Sequence, residues 1–541
     1  MSATTLTIFH FTDPHARLGA EPVRAPGIPG VANPSRPDAE VLAGLAGLDA
    51  LLAEELTRVE AGPVLLVCCG DVFGAEMAHD RAHRGALTVE ALSLLAGRSG
   101  VDAALWLAGN HDVDHGVDRF SELAPGSGMH LMSGNATVDG RPLSDGLVEL
   151  DVGGVRLAVV PVTTVQIASD APREDRERVG ARLPVLAARE PMNLARRARK
   201  KGSVDIVLAL AHCFDEEDEA LARLGPDLLI GGHTHVFLSS RIPGGSRREK
   251  AGCHGQALGR VVVRRTFSGW RVDEHATALL LPDVEPAPDS KLLALARRGV
   301  PGPSTEPAVG ACSEPIRGLG DLRAARPSPI GSAVAAGLLD GARRVAGPVH
   351  CAFINAGNVR AELVPVDGLL RRSDLADVLA FGNQLAVVEG PPELVLEVLA
   401  VAVANLKLDK AGWLRTAGLR ARVSAEGAIE DVRVEEEGRS VPLASLQTVR
   451  MATIDWLAVD GGNHFGCLGR GAVSPLGVAS DCWAEELASR PTPTIRVPLE
   501  GLVVDARFRQ TDTRTVVETL QRQAPGSVTW ATDLLDQRGS R

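Results

Sequence analysis

The feature that most constrains this chain is a short apolar run ending in a polar or glycine-containing turn, which recurs along the first half of the sequence. The runs are Leu6–Phe11, Val64–Cys69, Ala103–Leu107, Asp205–Leu210 and Leu228–Ile230. Their apolar residues are nearly continuous rather than alternating, which is typical of strands that are covered on both faces. Helical patterns lie between the runs, for example in 39–59 and 87–95. The sequence therefore predicts an α/β protein with layered sheets.

Residues that can bind metals follow each of these runs. They are Asp13 and His15, then Asp71, then Asn110, His111 and Asp114, then His212, and finally His233 and His235. Open α/β sheets bind ligands beyond the carboxyl ends of their strands, so all five sets are expected to meet at one site. Each set alone is more often a turn or a buried histidine, but packing gives no reason for five repetitions.

The donor types indicate a pair of transition metals. Carboxylates, imidazoles and an amide, without a thiolate, suit Zn, Mn, Fe, Co or Ni better than Ca or Mg alone. Two ions at a separation of about 3.5–4 Å need a shared carboxylate. We therefore expect two divalent transition metals, such as Mn, Zn, Co or Fe.

Charge and hydropathy exclude several classes of partner. The chain has 57 Lys and Arg against 68 Asp and Glu, a formal net charge of −11, and no basic run. Binding to a nucleic acid polymer, which depends on cationic side chains, is therefore not expected. The sequence shows no stretch of about 20 apolar residues and no signal peptide at its start. We expect no membrane partner, a cytoplasmic location and reduced cysteines.

A proline-rich segment divides the chain. We predict a first domain over 1–281, a linker with a short helix over 282–329, and a second α/β domain over 330–541.

The five polar sets resemble a known family. The patterns D-x-H, G-D, G-N-H-[DE], a lone His and G-G-H-x-H, in this order and spacing, are similar to those of the calcineurin-like metallophosphoesterases. The resemblance implies a four-layer α/β/β/α domain in which a hydroxide that bridges two metals attacks phosphorus. It assigns Asp13, His15, Asp71 and His235 to one metal, and Asp71, Asn110, His212 and His233 to the other. By the same resemblance, His111 stabilises the transition state and Asp114 orients it.

Three later blocks extend the resemblance to the 5′-nucleotidase and 2′,3′-cyclic-nucleotide phosphodiesterase family, whose second domain binds the substrate. They are Ile354–Arg360, Leu379–Leu385 and Ala452–Leu457, the last followed by a Gly461-Gly462-Asn463 turn. The match implies that Phe381 and Trp456 stack on a nucleobase, unless both are core residues. It assigns Arg360, Asn383 and Asn463 to the rest of the substrate, although Asn463 replaces the family's Asp.

The resulting hypothesis is a dimetal phosphohydrolase that releases phosphate from 5′-nucleotides or related small phosphoesters. One alternative is hydrolysis of a non-nucleotide ester, either a cyclic phosphodiester or a sulfur-linked sulfate, on the same scaffold. A non-catalytic protein that binds metal or nucleotide is a third reading, although no expected metal ligand is missing from the sequence.

Overall fold

The structure is a computed structural model of the 541-residue chain. It describes residues 5–24, 40–74, 77–172, 174–242, 245–267, 269–299, 306–318, 322, 328–364, 368–379, 383–408, 413–459, 465–490, 494–495, 497, 502–508, 510–525, 527–529 and 531. The chain forms two compact units, Met1–Gly302 and Pro303–Arg541. The predicted linker limits of 282 and 329 stay predictions.

The first unit alternates strands and helices. Its strands are β1 (Thr5–Phe11), β2 (Glu21–Arg24), β3 (Glu40–Ala43), β4 (Val64–Cys68), β5 (Ala103–Leu107), β6 (His130–Met132), β7 (Ala136–Val138), β8 (Arg141–Pro142), β9 (Val148–Val152), β10 (Val155–Thr163), β11 (Val179–Ala181), β12 (Ile206–His212), β13 (Leu228–Gly231), β14 (Phe237–Arg241), β15 (Arg247–Ala251), β16 (Leu258–Thr266), β17 (Gly269–Val272) and β18 (Ala278–Leu280). Its helices are α1 (Leu45–Arg58), α2 (Ala78–His83), α3 (Ala86–Ala96), α4 (Val117–Leu123), α5 (Gln166–Asp170), α6 (Pro184–Lys201), α7 (Asp215–Arg223) and α8 (Lys291–Gly299).

Two mixed sheets form the centre of this unit. The first has the strand order β17-β16-β1-β4-β5-β6, with β18 paired to β16, and the second has the order β14-β15-β13-β12-β10-β9. Alternate residues of β1, such as Leu6 and Ile8, pack with residues of the second sheet, such as Leu157 and Leu208, in one buried core. A core that contains residues of both sheets is what a stacked pair of sheets produces.

Helices cover the outer face of each sheet. Phe9 and Leu66 of the first sheet pack with Leu48 of α1, whereas Val160 and Val207 of the second pack with Met192 of α6. The predicted four-layer α/β/β/α arrangement is therefore confirmed. Strands β1, β4 and β5 are mutually parallel, as are β10, β12 and β13. The carboxyl ends of β1, β4, β5, β12 and β13 carry the polar residues singled out in the sequence.

The prediction of one helix over 39–59 was wrong at its start. Residues Glu40–Ala43 form β3, which pairs antiparallel with β2 from Glu21↔Ala43 to Arg24↔Glu40, and α1 begins only at Leu45. Val41 fits the helical spacing, but it is also a β-branched residue for which a partner strand was available. Pairing with a distant segment thus overrode the local pattern.

The second unit is also α/β, as predicted. Its strands are β19 (Gly310–Ala311), β20 (Cys351–Asn355), β21 (Leu369–Leu370), β22 (Gln384–Gly390), β23 (Leu414–Ala417), β24 (Leu419–Val423), β25 (Ile429–Glu436), β26 (Arg439–Pro442), β27 (Val449–Ile454), β28 (Ala472–Val478) and β29 (Leu502–Val504). Its helices are α9 (Pro329–Ala346), α10 (Arg372–Val378), α11 (Glu393–Lys407), α12 (Asp455–Ala458), α13 (Ala479–Ser489) and α14 (Thr513–Gln523).

A five-stranded sheet, β23-β20-β27-β22-β28, and a four-stranded sheet, β26-β25-β24-β29, build this unit. Helix α14 falls in a stretch that looks polar and weakly patterned in sequence, yet Val516, Val517 and Leu520 join the core. None of the helices described in either unit is long and apolar enough to cross a bilayer.

Candidate metal centre

The strand ends bring the predicted ligands of the first unit together. Asp13 and His15 follow β1, Asp71 follows β4, Asn110 and His111 follow β5, His212 ends β12, and His233 and His235 follow β13. Asp13 and His212 are fully buried, and Asp71 is 2% exposed. Buried carboxylates and imidazoles at this density are expensive without counter-charges, which a pair of cations would supply.

Two groups of donor atoms share one carboxylate. Asp13, His15 and Asp71 offer one group, and Asp71, His212 and His233 offer another, each with its donor atoms within 4.8 Å of one another. Asp71 Oδ2 lies 3.2 Å from His212 Nε2 and 3.8 Å from His15 Nε2. Asp71 therefore belongs to both groups of donor atoms.

His235 belongs to the side of Asp13 and His15. Its Nε2 lies 3.4 Å from Asp13 Oδ1 and 3.1 Å from His15 Nε2. Two imidazole nitrogens and a carboxylate oxygen at these separations fit around one transition-metal ion.

Backbone strain is concentrated at these residues. Positive φ angles occur at Asp13 (49°), His15 (43°), Asp71 (51°), His233 (76°) and His235 (57°). Non-glycine residues adopt this region at a cost of order 1–3 kcal/mol each, and they keep it only where the surroundings enforce it. A glycine at position 109 allows the backbone to approach the Asp71 carboxylate, because a Cβ there would lie 2.3 Å from Asp71 Oδ1.

Neighbouring groups orient two of the predicted ligands. His212 Nδ1 donates to the Cys69 carbonyl over 2.6 Å, so Nε2 is the nitrogen left to bind an ion once it has given up its proton. Asn110 Nδ2 donates to Asp170 Oδ2 over 3.0 Å, which leaves its Oδ1 facing His212 Nε2 at 3.2 Å. Asp170 was missed in the sequence because it follows no strand and belongs to no motif.

The surroundings of His233 and His212 shift the pKa values of the two imidazoles in opposite directions. Burial lowers the pKa of His233 well below its ordinary value, helped by the neighbouring His212, so His233 is neutral and able to coordinate. Burial also disfavours the charged form of His212, but Asp71 more than offsets this and raises its pKa to about 9. Burial alone would raise the pKa of Asp71, but His212 and His111 hold it well below its usual range.

His111 and Asp114 form the predicted dyad geometry. His111 Nδ1 lies 3.2 Å from both carboxylate oxygens of Asp114, and the His111 backbone N–H donates to Asp71 Oδ1 over 2.8 Å. The His111 ring centroid is 5.2 Å from that of His15. The imidazole thus stands beside the donor cluster, with Nδ1 held by a carboxylate.

A buried lysine supports the loop that carries His233 and His235. Lys250 of β15 donates from Nζ to Thr234 Oγ1 over 2.8 Å and pairs with Asp215 at 3.0 Å and Asp218 at 2.6 Å. Strand β15 reads Arg-Arg-Glu-Lys-Ala and is buried throughout. Its charged sequence gave no signal of a buried strand, so its role was not predicted.

One end of the five-stranded sheet carries described residues that were predicted to bind substrate. Leu385 of β22 is in register with Ile454 of β27, which places Asn383 and Trp456 at the same sheet end. Asn383 Nδ2 donates to Asn358 Oδ1 over 2.8 Å, and Asn358 Nδ2 donates to Asn355 Oδ1 over 2.6 Å. Trp456 is half-buried against the core of this unit.

Arg360 is half-buried as well, and its backbone N–H donates to the Val378 carbonyl over 2.9 Å. Phe381 and Asn463 lie outside the described residues. Their stacking and hydrogen-bonding roles, like that of Arg360, stay predictions.

The chain matches known proteins in both units. Residues 6–237 match the family described as calcineurin-like phosphoesterase, and residues 309–470 match the 5′-nucleotidase C-terminal domain. The trifunctional nucleotide phosphoesterase protein YfkN of Bacillus subtilis is 22% identical over 457 residues, which cover 75% of this chain and 30% of that relative. This chain therefore spans about a third of the length of that curated relative.

Two solved structures have a similar fold. A 5′-nucleotidase precursor from Thermus thermophilus aligns with a TM-score of 0.71 at 22% identity, covering 93% of this chain and 99% of that one. The sulfate thiohydrolase SoxB of Thermus thermophilus, solved with glycerol, aligns with a TM-score of 0.66 at 19% identity, covering 93% and 97%.

Proposed function

The chain belongs to the family that joins a calcineurin-like phosphoesterase domain to a 5′-nucleotidase C-terminal domain, and from this premise we propose that it is a dimetal phosphohydrolase acting on 5′-nucleotides or related small phosphoesters. The observation that carries the proposal is the placement of Asp71 between two donor groups. A shared carboxylate with imidazoles on both sides fits two adjacent divalent transition metals.

The chain's own residues have distinct tasks in this reaction. The bound ions would supply Lewis acidity, which activates water and neutralises charge on the ester. His111 faces the same region and, held at Nδ1 by Asp114, presents its other nitrogen. A protonated imidazole there would donate a hydrogen bond to the phosphoryl group and deliver a proton to the leaving oxygen.

The second unit supports a nucleotide as the substrate class. Trp456 offers an aromatic face at the end of the sheet that also carries Asn383. Aromatic stacking tolerates different bases, whereas an amide at the same position distinguishes them by hydrogen bonds. A cytoplasmic location is retained as a prediction from the sequence.

A specific observation favours a second candidate, a non-nucleotide ester. Asn358 stands where the resembled motif has glycine, and its amide is bonded to both Asn355 and Asn383. This linkage uses one of the two N–H donors of Asn383 Nδ2, so a substrate that needs fewer base-specific donors would fit the same sheet end.

Hydrolysis by metal-stripped protein, with Mn, Zn or Co added back, tests the proposal. The panel contains mononucleotides, cyclic nucleotides, nucleotide sugars, bis(p-nitrophenyl) phosphate and a phosphate-free compound with a sulfur-linked sulfate. We expect metal-dependent release of phosphate from mononucleotides, and none from Asp71→Asn. Metal-dependent turnover of only the sulfur-linked sulfate or the generic diester would favour the second candidate. No metal-dependent turnover of any substrate would contradict both.

A further inference from the structure

A histidine outside the sequence motifs lies against the metal centre. His254 is in the turn between β15 and β16, in the segment Gly252-Cys253-His254-Gly255. Its backbone N–H donates to the Asp13 carbonyl over 2.7 Å. This bond ties the turn to the first residue of the D-x-H motif, although the two are far apart in sequence.

The His254 side chain reaches two predicted ligands. Its ring centroid lies 5.6 Å from that of His15 and 5.7 Å from that of His235, with both pairs edge-on. The three imidazoles each offer a nitrogen, and these nitrogens lie within 4.8 Å of one another. That spacing allows all three nitrogens to contact one ion after small rotations of the side chains.

The backbone of His254 has the same strain as the predicted ligands. Its φ angle is 55°, a conformation that costs free energy in a non-glycine residue. The Cys253 side chain hydrogen-bonds to both His254 and His235, which holds the His254 ring beside the predicted ligand. A strained residue whose nitrogen faces two ligand nitrogens is better explained by a bond to a cation.

We propose that His254 is an additional imidazole ligand of the ion held by Asp13, His15, Asp71 and His235. This inference rests on the dimetal centre of the proposed function and names a ligand that the family motifs do not contain. It gives that ion three imidazoles beside two carboxylates. Imidazole-rich sites favour Zn, Co, Ni or Fe, whereas oxygen-rich sites favour Mn and Mg, so His254 would select against Mn at this position.

Cobalt binding to metal-stripped full-length protein tests the inference. The variant is His254→Asn, because Asn tolerates a positive φ and its short amide cannot reach the imidazole nitrogen position. The matched control is His275→Asn, which changes an exposed histidine of the same unit. Circular dichroism verifies that each variant is folded, and titration calorimetry gives the affinity of each site for Co²⁺ and Mn²⁺.

We expect wild type and His275→Asn to bind two Co²⁺ per chain. His254→Asn should lose about 10–100-fold in Co²⁺ affinity at one site only, with a smaller loss for Mn²⁺. The paramagnetic NMR spectrum of the Co²⁺ form should also lose one shifted imidazole N–H signal. This second readout counts ligands directly and does not depend on turnover.

The outcomes separate the two proposals. Two sites with unchanged affinities and an unchanged set of imidazole signals in folded His254→Asn would overturn the role of His254 and leave the dimetal function standing. Fewer than two Co²⁺ in wild type would overturn both. Equal losses for Co²⁺ and Mn²⁺ would support the ligand but overturn the selectivity.

Discussion

Both units place polar side chains at one end of a mixed sheet, but the two clusters differ in how they are satisfied. At the second unit's sheet end, Asn355, Asn358 and Asn383 bond to one another in a chain of amides. In the first unit, nitrogen and oxygen acceptors such as Asp71 Oδ2 and His212 Nε2 approach one another within 3.2 Å. The difference shows what the first cluster needs, because crowded acceptors require a cation or protons, whereas each of the linked amides already has another amide as a hydrogen-bond partner.

The largest expected effect comes from replacing Asp71, the carboxylate that both donor groups share. Asp71→Asn removes the charge that both donor groups share, so we expect both ion positions to weaken. Metal-dependent hydrolysis of an aryl phosphate should fall by at least about 10³-fold, and elemental analysis should show less than two metals per chain. Asn383→Asp, an isosteric change in the second unit, should leave metal content at the wild-type level. Full metal content in Asp71→Asn would break the contrast.

The next test separates the dyad from the ligands. His111→Asn leaves the donor groups that contain Asp71 intact but removes the imidazole held by Asp114. We expect kcat to fall by about 10²–10⁴-fold while two metals stay bound. Asp114→Asn should cause a smaller loss, because the ring is still present. Loss of both metals in His111→Asn would mean that this residue is a ligand or supports the fold of the site.

A third test concerns a buried histidine that is not among the predicted ligands. Burial lowers the pKa of His10 to about 3, and a Cβ at its neighbour Gly259 would overlap the His10 ring. The unfolded chain takes up this proton near pH 6.5, so stability is present above that pH and is lost as the pH falls toward 3. Between pH 8 and pH 5 this loss is about 2 kcal/mol.

His10→Leu removes this dependence. We expect the difference in free energy of unfolding between wild type and His10→Leu to shift by about 2 kcal/mol between pH 8 and pH 5, in favour of the variant at low pH. Urea unfolding followed by tryptophan fluorescence measures it. Parallel pH profiles for the two proteins would show that His10 gains a proton in the folded state.

The smallest expected effect lies in the second unit. Asn383→Ala removes one amide at the sheet end, and a single hydrogen bond is worth about 1 kcal/mol. We expect KM for a mononucleotide to rise about 5–10-fold, with turnover of an aryl phosphate unchanged. Asn358→Gly releases the N–H of Asn383 Nδ2 that now bonds to Asn358. It serves as the partner variant and should alter preference among bases. Equal effects on the aryl phosphate and the nucleotide would argue against a recognition role.

Much of the first unit could be predicted from its sequence. Strand β5 was placed at its observed bounds, Ala103–Leu107, because an apolar run bounded by turns leaves few alternatives. The nine proposed site residues of this unit lie at the predicted strand ends because parallel strands place their carboxyl ends at one edge of a sheet.

The sequence-based predictions were wrong or incomplete where contacts between distant segments decide the structure. Val41 belongs to a strand because β2 was available as a partner. Strand β15 is buried although it reads Arg247-Arg248-Glu249-Lys250, since Asp215 and Asp218 neutralise part of its charge. His254 reaches the site from a turn and Asp170 from the end of α5, and no local pattern marks either residue. Sequence periodicity describes one element at a time and cannot report such pairings.

The left-handed backbone of Asp13, His15 and Asp71 has a consequence for the lifetime of the protein. Ions that bind only the folded chain add to its stability by mass action, and here they would also compensate the strain stored at their ligands. Copies made during metal shortage would open more often and expose cleavage sites to proteases. The abundance of the enzyme would then follow the supply of its metals, and a cell would hold few idle, metal-free copies.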